Sequence, residues 1–304
     1  MMPRIEYVPH NRIDRKLWDA ALQQCPNRLV YGRSLYLDTL CGKWDALVAG
    51  YYEYIMPLPR KRKWGFKYLP DIPFLQQLGI FSAQPVTAAI TTDFLQKTSK
   101  YFSYGNIYWN YENEIIIPGA ETLNNYVLPL TQPYEVIHAG YTPDLHYDLR
   151  QAEKHGLEYH KNTALPVIIA AYRAAYGERL AHITHDIYKR FQRLCTLFGE
   201  KEQLVTRSVS KNGEDLSHAV LLLDEGRLYN LLSVNTPAGR KMNANHFLYD
   251  RLISEYSGKH YTLDFEGSDI PGIAFFYKHF GAVNIPYFRT HLNKLPWPLK
   301  MVKK

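Results

Sequence analysis

Residues 203–234 read QLVTRSVSKNGEDLSHAVLLLDEGRLYNLLSV, and this stretch decides the fold. Three apolar runs, Gln203–Ser210, Leu216–Leu223 and Leu228–Val234, are separated by Asn212-Gly213 and by Asp224-Glu225-Gly226. Asn-Gly between apolar runs is the strongest short hairpin signal, because both residues accept the positive φ that a tight strand connection needs. The stretch therefore predicts an antiparallel meander. Downstream, Asn235–Lys241 reads as a loop into a helix over Asn243–Tyr256, stopped by Gly258. A strand (Tyr261–Phe265), a helix (Pro271–Phe280, with Asp269 as N-cap and Gly281 after its end) and a strand (Ala282–Phe288) complete the chain's second half. Upstream lie a helix over Asp144–Lys154, a strand over Leu157–His160, and helices over Leu165–Tyr176 and His185–Phe198, the last with Thr184 as N-cap.

The first half reads as mixed α and β. Helices are expected over Asp14–Gln24, Ser34–Leu40 and Val86–Phe102. Strands are expected over Ala46–Ala49, Tyr52–Pro57, Leu75–Phe81, Ile107–Tyr111 and Glu114–Ile117. A linker runs through Pro133, Gly140 and Pro143. At 304 residues, two domains are expected, divided near 145/146.

Composition narrows the class. A hydrophobic fraction of 46% with 21% charged residues excludes a disordered chain. No apolar run reaches the roughly 18–20 residues of a membrane span, and the first residues lack an apolar leader. Cys25, Cys41 and Cys195 are too scattered for a disulfide framework or zinc knuckle, and Cys195 falls in an apolar helix stripe. The expectation is a cytoplasmic protein without metal. The net charge of +7 is uneven: residues 101–149 hold six acidic residues and no Lys or Arg, whereas 1–100 hold 14 basic and 8 acidic residues. The densest cluster, Arg60-Lys61-Arg62-Lys63 with Lys67, is interleaved with Trp64, Phe66 and Tyr68. That pattern suits phosphates and stacked bases, or a solvated hairpin tip between two strands.

The element order resembles the GNAT acyltransferase superfamily, and three stretches sharpen the resemblance. Residues 149–157 (LRQAEKHGL), 264–268 (DFEGS) and 272–282 (GIAFFYKHFGA) resemble the LRKAEKxGL, DFxGS and GLxxFKxxFGA stretches of the FemABX peptidyltransferases and their BioF2-like acetyltransferase relatives. The resemblance implies two GNAT-like α/β domains in tandem, with residues 289–304 packing back on the first. It also implies transfer of an acyl or aminoacyl group from acyl-CoA or aminoacyl-tRNA to a small-molecule or peptide amine.

Site residues follow from both sources. The turn around Val234–Asn245 opens a helix and supplies Arg240 and Lys241 beside helix N–H groups, an arrangement that attracts anions. By resemblance this is the donor-phosphate turn, with Arg240, Lys241, Asn243, Asn245 and Val234 as its residues and Asn standing where the family has Gly. The same turn also reads as a charged loop capping a helix with Asn243. Asp264 and Glu266, at i and i+2 of a strand, are expected on one face, where either serves as base or orients the amine. Alternatively, Asp264 pairs with an Arg while Glu266-Gly267-Ser268 builds the turn. On the 271–280 helix, Ile273, Phe276, Tyr277 and Phe280 share an inward face. Tyr277 occupies the position of the family's Lys, either as a phenol that hydrogen-bonds the reacting carbonyl or as plain core. An oxyanion is expected at backbone N–H groups near Leu232–Val234, by resemblance. Arg60, Lys61, Arg150 and Lys278 are the candidate substrate-binding cations. His182 with His185, and His155 with His160, lack the further ligands of a metal site.

Three functions remain distinct at this level. They are an N-acyltransferase, a tRNA-dependent aminoacyltransferase of the cell-wall type using the 60–67 cluster and the tail, and a non-catalytic binding protein on the same fold.

Overall fold

Contacts within the computed structural model, which describes residues 3–267, 269–297 and 299–302, divide the chain into two units: Met1–Leu123 with Pro286–Lys304, and Asn124–Ile285. The expected division at 145/146 thus lies inside the second unit. The tail residues Pro298, Lys303 and Lys304, and the motif position Ser268, lie outside the described residues.

The N-terminal unit begins with β1 (Ile5–Val8), α1 (Arg15–Gln23), α2 (Ser34–Leu40), β2 (Trp44–Ala49) and β3 (Tyr54–Pro59). It continues with β4 (Lys61–Lys63), β5 (Phe66–Leu69), β6 (Phe81–Ser82), α3 (Ala88–Thr98), β7 (Tyr104–Tyr108) and β8 (Glu121–Leu123). Asp14 starts α1 by accepting the N–H groups of Lys16 and Leu17, satisfying two otherwise orphaned donors. One sheet runs β1-β2-β3-β6, and β2 and β3 are buried along their whole lengths. The expected strand at Leu75–Phe81 shrinks to Phe81–Ser82, because Gly79 turns at φ +64° and Ile80 N–H goes to the Asn113 side chain. Glu114–Ile117 is likewise no strand. Glu114 N–H donates to Val86 O, and the Thr91 hydroxyl to Glu114 O, so these groups bond around α3 instead.

Within β2 sits a fully buried carboxylate. Asp45 takes Arg60 at 2.8 Å, Lys67 at 3.6 Å, the His10 N–H at 2.9 Å and the Tyr7 hydroxyl. A buried anion is tolerated only with such partners.

The C-terminal unit carries β9 (Tyr126–Pro129), α4 (Tyr134–Ala139), α5 (Pro143–Lys154), β10 (Glu158–Lys161), α6 (Leu165–Tyr176) and α7 (His185–Gly199). Then come β11 (Leu204–Lys211), β12 (Glu214–Asp224), β13 (Arg227–Asn235), α8 (Pro237–Lys241), α9 (Ala244–Tyr256), β14 (Thr262–Asp264), α10 (Pro271–His279) and β15 (Val283–Asn284). They form one sheet ordered β10-β11-β12-β13-β14-β9-β15, in which only β13 and β14 run parallel. Alternation assigns its two faces. Ala219 and Leu221 of β12 join a core with Phe247, Leu248, Leu252 and Ile253 of α9. His218, Val220 and Leu222 point the other way, the side that α6 and α7 cover with Ile168, Ile169, Phe191, Leu194 and Phe198. Cys195 is buried there, and no cysteine forms a disulfide.

Two readings change here. The expected linker holds β9 and α4, since the four-residue run YVLP gains its strand identity only by pairing with β14 and β15. The expected strand Ala282–Phe288 is two strands, interrupted at Ile285-Pro286. β15 stays in the C-terminal sheet, and β16 (Tyr287–Asn293) runs between β7 and β8 of the N-terminal unit, followed by α11 (Leu299–Val302). Proline cannot donate to a ladder, so the chain changes sheets there.

The Asp45 cluster yields a first prediction. Asp45→Ala strips Arg60, Lys67 and the His10 N–H of their shared acceptor and destabilises the N-terminal unit by about 3–5 kcal/mol. Urea unfolding followed by fluorescence reads this as a lower midpoint.

Candidate active site

β13 and β14 pair only through Arg227–Tyr229 and Thr262–Asp264. β13 then runs on to Asn235 while β14 stops, and a bulge at Leu231 shifts the β12–β13 register. The sheet opens beyond Tyr229. Asp264 ends its strand: one oxygen accepts the Glu266 N–H at 2.9 Å, and the other holds Arg227 at 2.8 Å. A side chain that accepts the N–H two residues on imitates a backbone turn. Glu266 takes φ +61°, and its carbonyl accepts the Tyr126 N–H at 3.3 Å.

These facts correct the paired-carboxylate expectation. Asp264 and Glu266 do not share a strand face, because the strand has ended before Glu266. Asp264 is buried against Arg227 as a turn-builder, and Glu266 is half-buried at the opening.

Aromatic rings line this place. Phe265 stacks on Tyr277 at 4.6 Å, and Tyr249 lies 5.3 Å from Phe265. Burial, then the nearby Tyr249, Glu266 and Asp264, push the Tyr277 phenol well above its ordinary pKa. It therefore stays protonated and can donate. Burial, with Tyr188, Tyr176 and Glu266 adding, pushes Tyr172 of α6 up to about 12. Within α10, Phe280 is buried and Phe276 and Tyr277 pack on the core, but Ile273 is exposed, so the inward face is narrower than its periodicity implied. Ile270, not Asp269, precedes α10 as its N-cap; Asp269 accepts the Asn124 backbone and side-chain N–H groups instead. Lys278 is exposed, with its ammonium 5.7 Å from the Tyr126 ring centre.

The stretch after β13 is not the expected loop. Thr236 accepts the Gly239 N–H at 3.0 Å and starts α8. A Cβ on Gly239 would lie 2.4 Å from Leu216 O, so glycine is what lets α8 lie this close to β12. Arg240 and Lys241 are exposed, and Arg240 donates to Asn235 O at 2.9 Å. Asn243 sits at φ +55° and makes no cap bond to α9; its amide donates to Asp148 of α5 at 3.1 Å. The capping expectation for Asn243 therefore fails in its bonding, although the left-handed geometry suits Asn. Asn245 Oδ1 lies 2.9 Å from Ser217 Oγ, which also reaches Val234 O at 3.1 Å, and Val234 is buried.

The family comparison places residues 144–279 in the acetyltransferase (GNAT) domain family. Residues 144–279 are thus similar to a GNAT domain. Among solved structures, FemX superposes with a TM-score of 0.64 at 14% identity, covering 98% of this chain and 99% of its own. A conserved protein of unknown function from Bacteroides thetaiotaomicron gives 0.59 at 10% identity, covering 94% and 100%. A tandem GNAT protein from the clavulanic acid biosynthesis pathway gives 0.50 at 10% identity, covering 96% and 99%. No curated protein sequence matches the chain. The fold is thus mixed α/β, with GNAT-like domains in tandem.

Within the GNAT domain, the structure brings Glu266 and Tyr277 together at the sheet opening, and Arg240, Lys241, Asn243 and Asn245 at the start of α9. Arg150 stands on the exposed side of α5. Arg60 and Lys61 belong to the N-terminal unit, where Arg60 is bound to Asp45 and Lys61 is exposed. Sequence reading missed Arg227, Ser217, Tyr249, Tyr172 and Asp148. Only Ser217 left a signal, a polar residue on a strand that is otherwise apolar on its α9 side. Among the described residues, no group of three or more His, Cys, Asp or Glu side chains is arranged to hold a metal.

His246, in the first turn of α9, gives a pH prediction. Burial lowers its pKa from 6.5 to about 4, with Asp148 opposing and His279 adding to the shift. The unfolded chain takes up a proton near the ordinary value that the folded chain refuses until about pH 4. Stability is therefore full above that window and falls by about 3 kcal/mol as pH drops through it. His246→Gln should flatten this part of the profile, seen as a smaller fall in urea midpoint between neutral pH and pH 4.

Proposed function

We propose that this protein is an N-acyltransferase that passes an acyl or aminoacyl group from an activated donor to an amine acceptor in the cytoplasm. One observation carries the reading: the sheet opens where β14 ends beside a continuing β13, with Glu266 and Tyr277 at the opening. The first turn of α9 supplies backbone N–H groups, and Arg240 and Lys241 stand just before it, a combination that suits donor phosphates.

In this reading the amine nitrogen attacks the donor carbonyl carbon. The new C–N bond forms as the bond to the donor's sulfur or oxygen breaks, and that atom leaves with the electron pair. Glu266 accepts the proton shed by the amine. Glu266 stands half-buried at the opening for this role, whereas Asp264 is buried and held by Arg227. The protonated Tyr277 hydroxyl and backbone N–H groups of β13 around Leu232–Val234 would share the charge on the tetrahedral oxygen. Tyr277 thereby takes on the role that a Lys has in the resembling motif.

An acyl-thioester donor and an aminoacyl-tRNA donor make different demands. Of the two Asn residues standing in place of glycine, Asn243 is turned to Asp148 of α5 and Asn245 meets Ser217. Arg150 and Lys278, both exposed, are the remaining cations proposed to meet the acceptor or donor.

Acetyl-CoA and unfractionated aminoacyl-tRNA, tested in turn with a panel of amines, should show transfer from one donor. Glu266→Gln should lower kcat by about 10²–10⁴-fold with little change in KM. Arg240→Ala with Lys241→Ala should instead raise the donor's KM. Full kcat in Glu266→Gln, or no binding of either donor by calorimetry, would sink the reading.

A further inference from the structure

The hairpin of β4 and β5 holds the densest run of positive charge in the sequence. Between Tyr54 and Pro70 the chain has Arg60, Lys61, Arg62, Lys63 and Lys67 and no acidic residue. Two of these cations are anchors: Arg60 and Lys67 run back to buried Asp45, and Lys67 also donates to the Tyr7 hydroxyl at 2.7 Å. The base of the hairpin is thereby held, and Lys61, Arg62 and Lys63 are exposed at its outer end.

Its apex is Trp64-Gly65, with φ +51° and +81°, the backbone of a tight two-residue hairpin turn. Trp64 is 66% exposed, costly for a large apolar ring unless a partner covers it. We propose that this hairpin is a docking tip for an anionic lipid surface, with Trp64 entering the headgroup layer and Lys61, Arg62 and Lys63 against the lipid phosphates.

Geometry favours lipid over nucleic acid. Successive strand residues point to opposite faces, so Lys61 and Lys63 stand on one side of the hairpin and Arg62 on the other. Cations ring the tip instead of lining one groove, whereas a nucleic-acid strand follows a basic groove past stacking platforms. One face of the Trp64 ring is also occupied by the Lys63 ammonium, 4.6 Å from the ring centre, which obstructs base stacking there. Tryptophan prefers the membrane–water boundary, and basic residues beside an anionic leaflet add affinity one by one.

Co-sedimentation of the full chain with vesicles tests this. Wild type should pellet with vesicles of equal parts phosphatidylglycerol and phosphatidylcholine, and remain in solution with phosphatidylcholine alone. Replacing Lys61, Arg62 and Lys63 by Gln should weaken binding about 100-fold, and Trp64→Ala should weaken it further without altering the circular dichroism. All four side chains are exposed or at the turn, so the variants are expected to fold. Equal pelleting of wild type and the triple variant, or no pelleting of wild type with the anionic vesicles, overturns the proposal. So does a triple variant that loses unfractionated tRNA but keeps its vesicle affinity, which would assign the tip to nucleic acid.

Discussion

Three residue pairs between β13 and β14 hold the candidate site in place. This parallel pairing runs from Arg227 and Thr262 to Tyr229 and Asp264, and it is closed by the Arg227–Asp264 ion pair. Had β14 continued, backbone bonds would have covered the inner edge of β13 as far as Asn235. Instead Asp264 accepts the Glu266 N–H and turns the chain, so β13 proceeds without a strand partner on that side among the described residues. Parallel strands satisfy each other's backbone groups; where one stops, those groups face outward and can meet a ligand. The opening, the position of Glu266 and the aromatic lining behind it all follow from that stop.

Charge is divided by the same logic. The buried acids Asp264 and Asp45 are each matched to Arg or Lys side chains and act as struts. In the C-terminal unit, Arg207 is matched in the same way to Glu255 at 2.5 Å. Removing a charge from water is costly, so a buried carboxylate is held close by its cation and is poorly suited to passing protons. The groups proposed for the chemistry lie nearer solvent: Glu266 is half-buried, and Arg240 and Lys241 are exposed. Asp45 has a second consequence, because by holding Arg60 and Lys67 it leaves the outer cations of the basic hairpin to the solvent side.

The elements that sequence reading located well are those whose identity is local. The meander β11–β13 was legible from Asn212-Gly213 and the Asp224–Gly226 turn, and α6 and α7 from apolar residues at helical spacing. β9 was not, because YVLP is too short to have a preference of its own and becomes a strand through β14 and β15. The break at Ile285-Pro286 was not legible either: an apolar run reads as one strand whichever sheet receives each half. At the site, sequence reading singled out Asp264, Glu266 and Tyr277, which the fold brings near one another, yet period-two reasoning put the two acids on one face. That reasoning assumes a strand that continues, and the Asp264 turn removes the assumption.

The sequence by itself determined that residues 157–282 would order as strand, two helices, meander, helix, strand, helix, and that a basic aromatic tip would stand apart between strands. Those features rest on turn residues, helical spacing and charge, all of which act over a few residues. Only the tertiary structure decided which acid is a strut and which lies at the opening, that Asn243 turns to Asp148, and that the cations of the 60–67 cluster divide between anchors and tip. Each of these depends on which distant group lies opposite. For a buried charge or a chain reversal, that partner sets the free energy, and sequence spacing cannot name it.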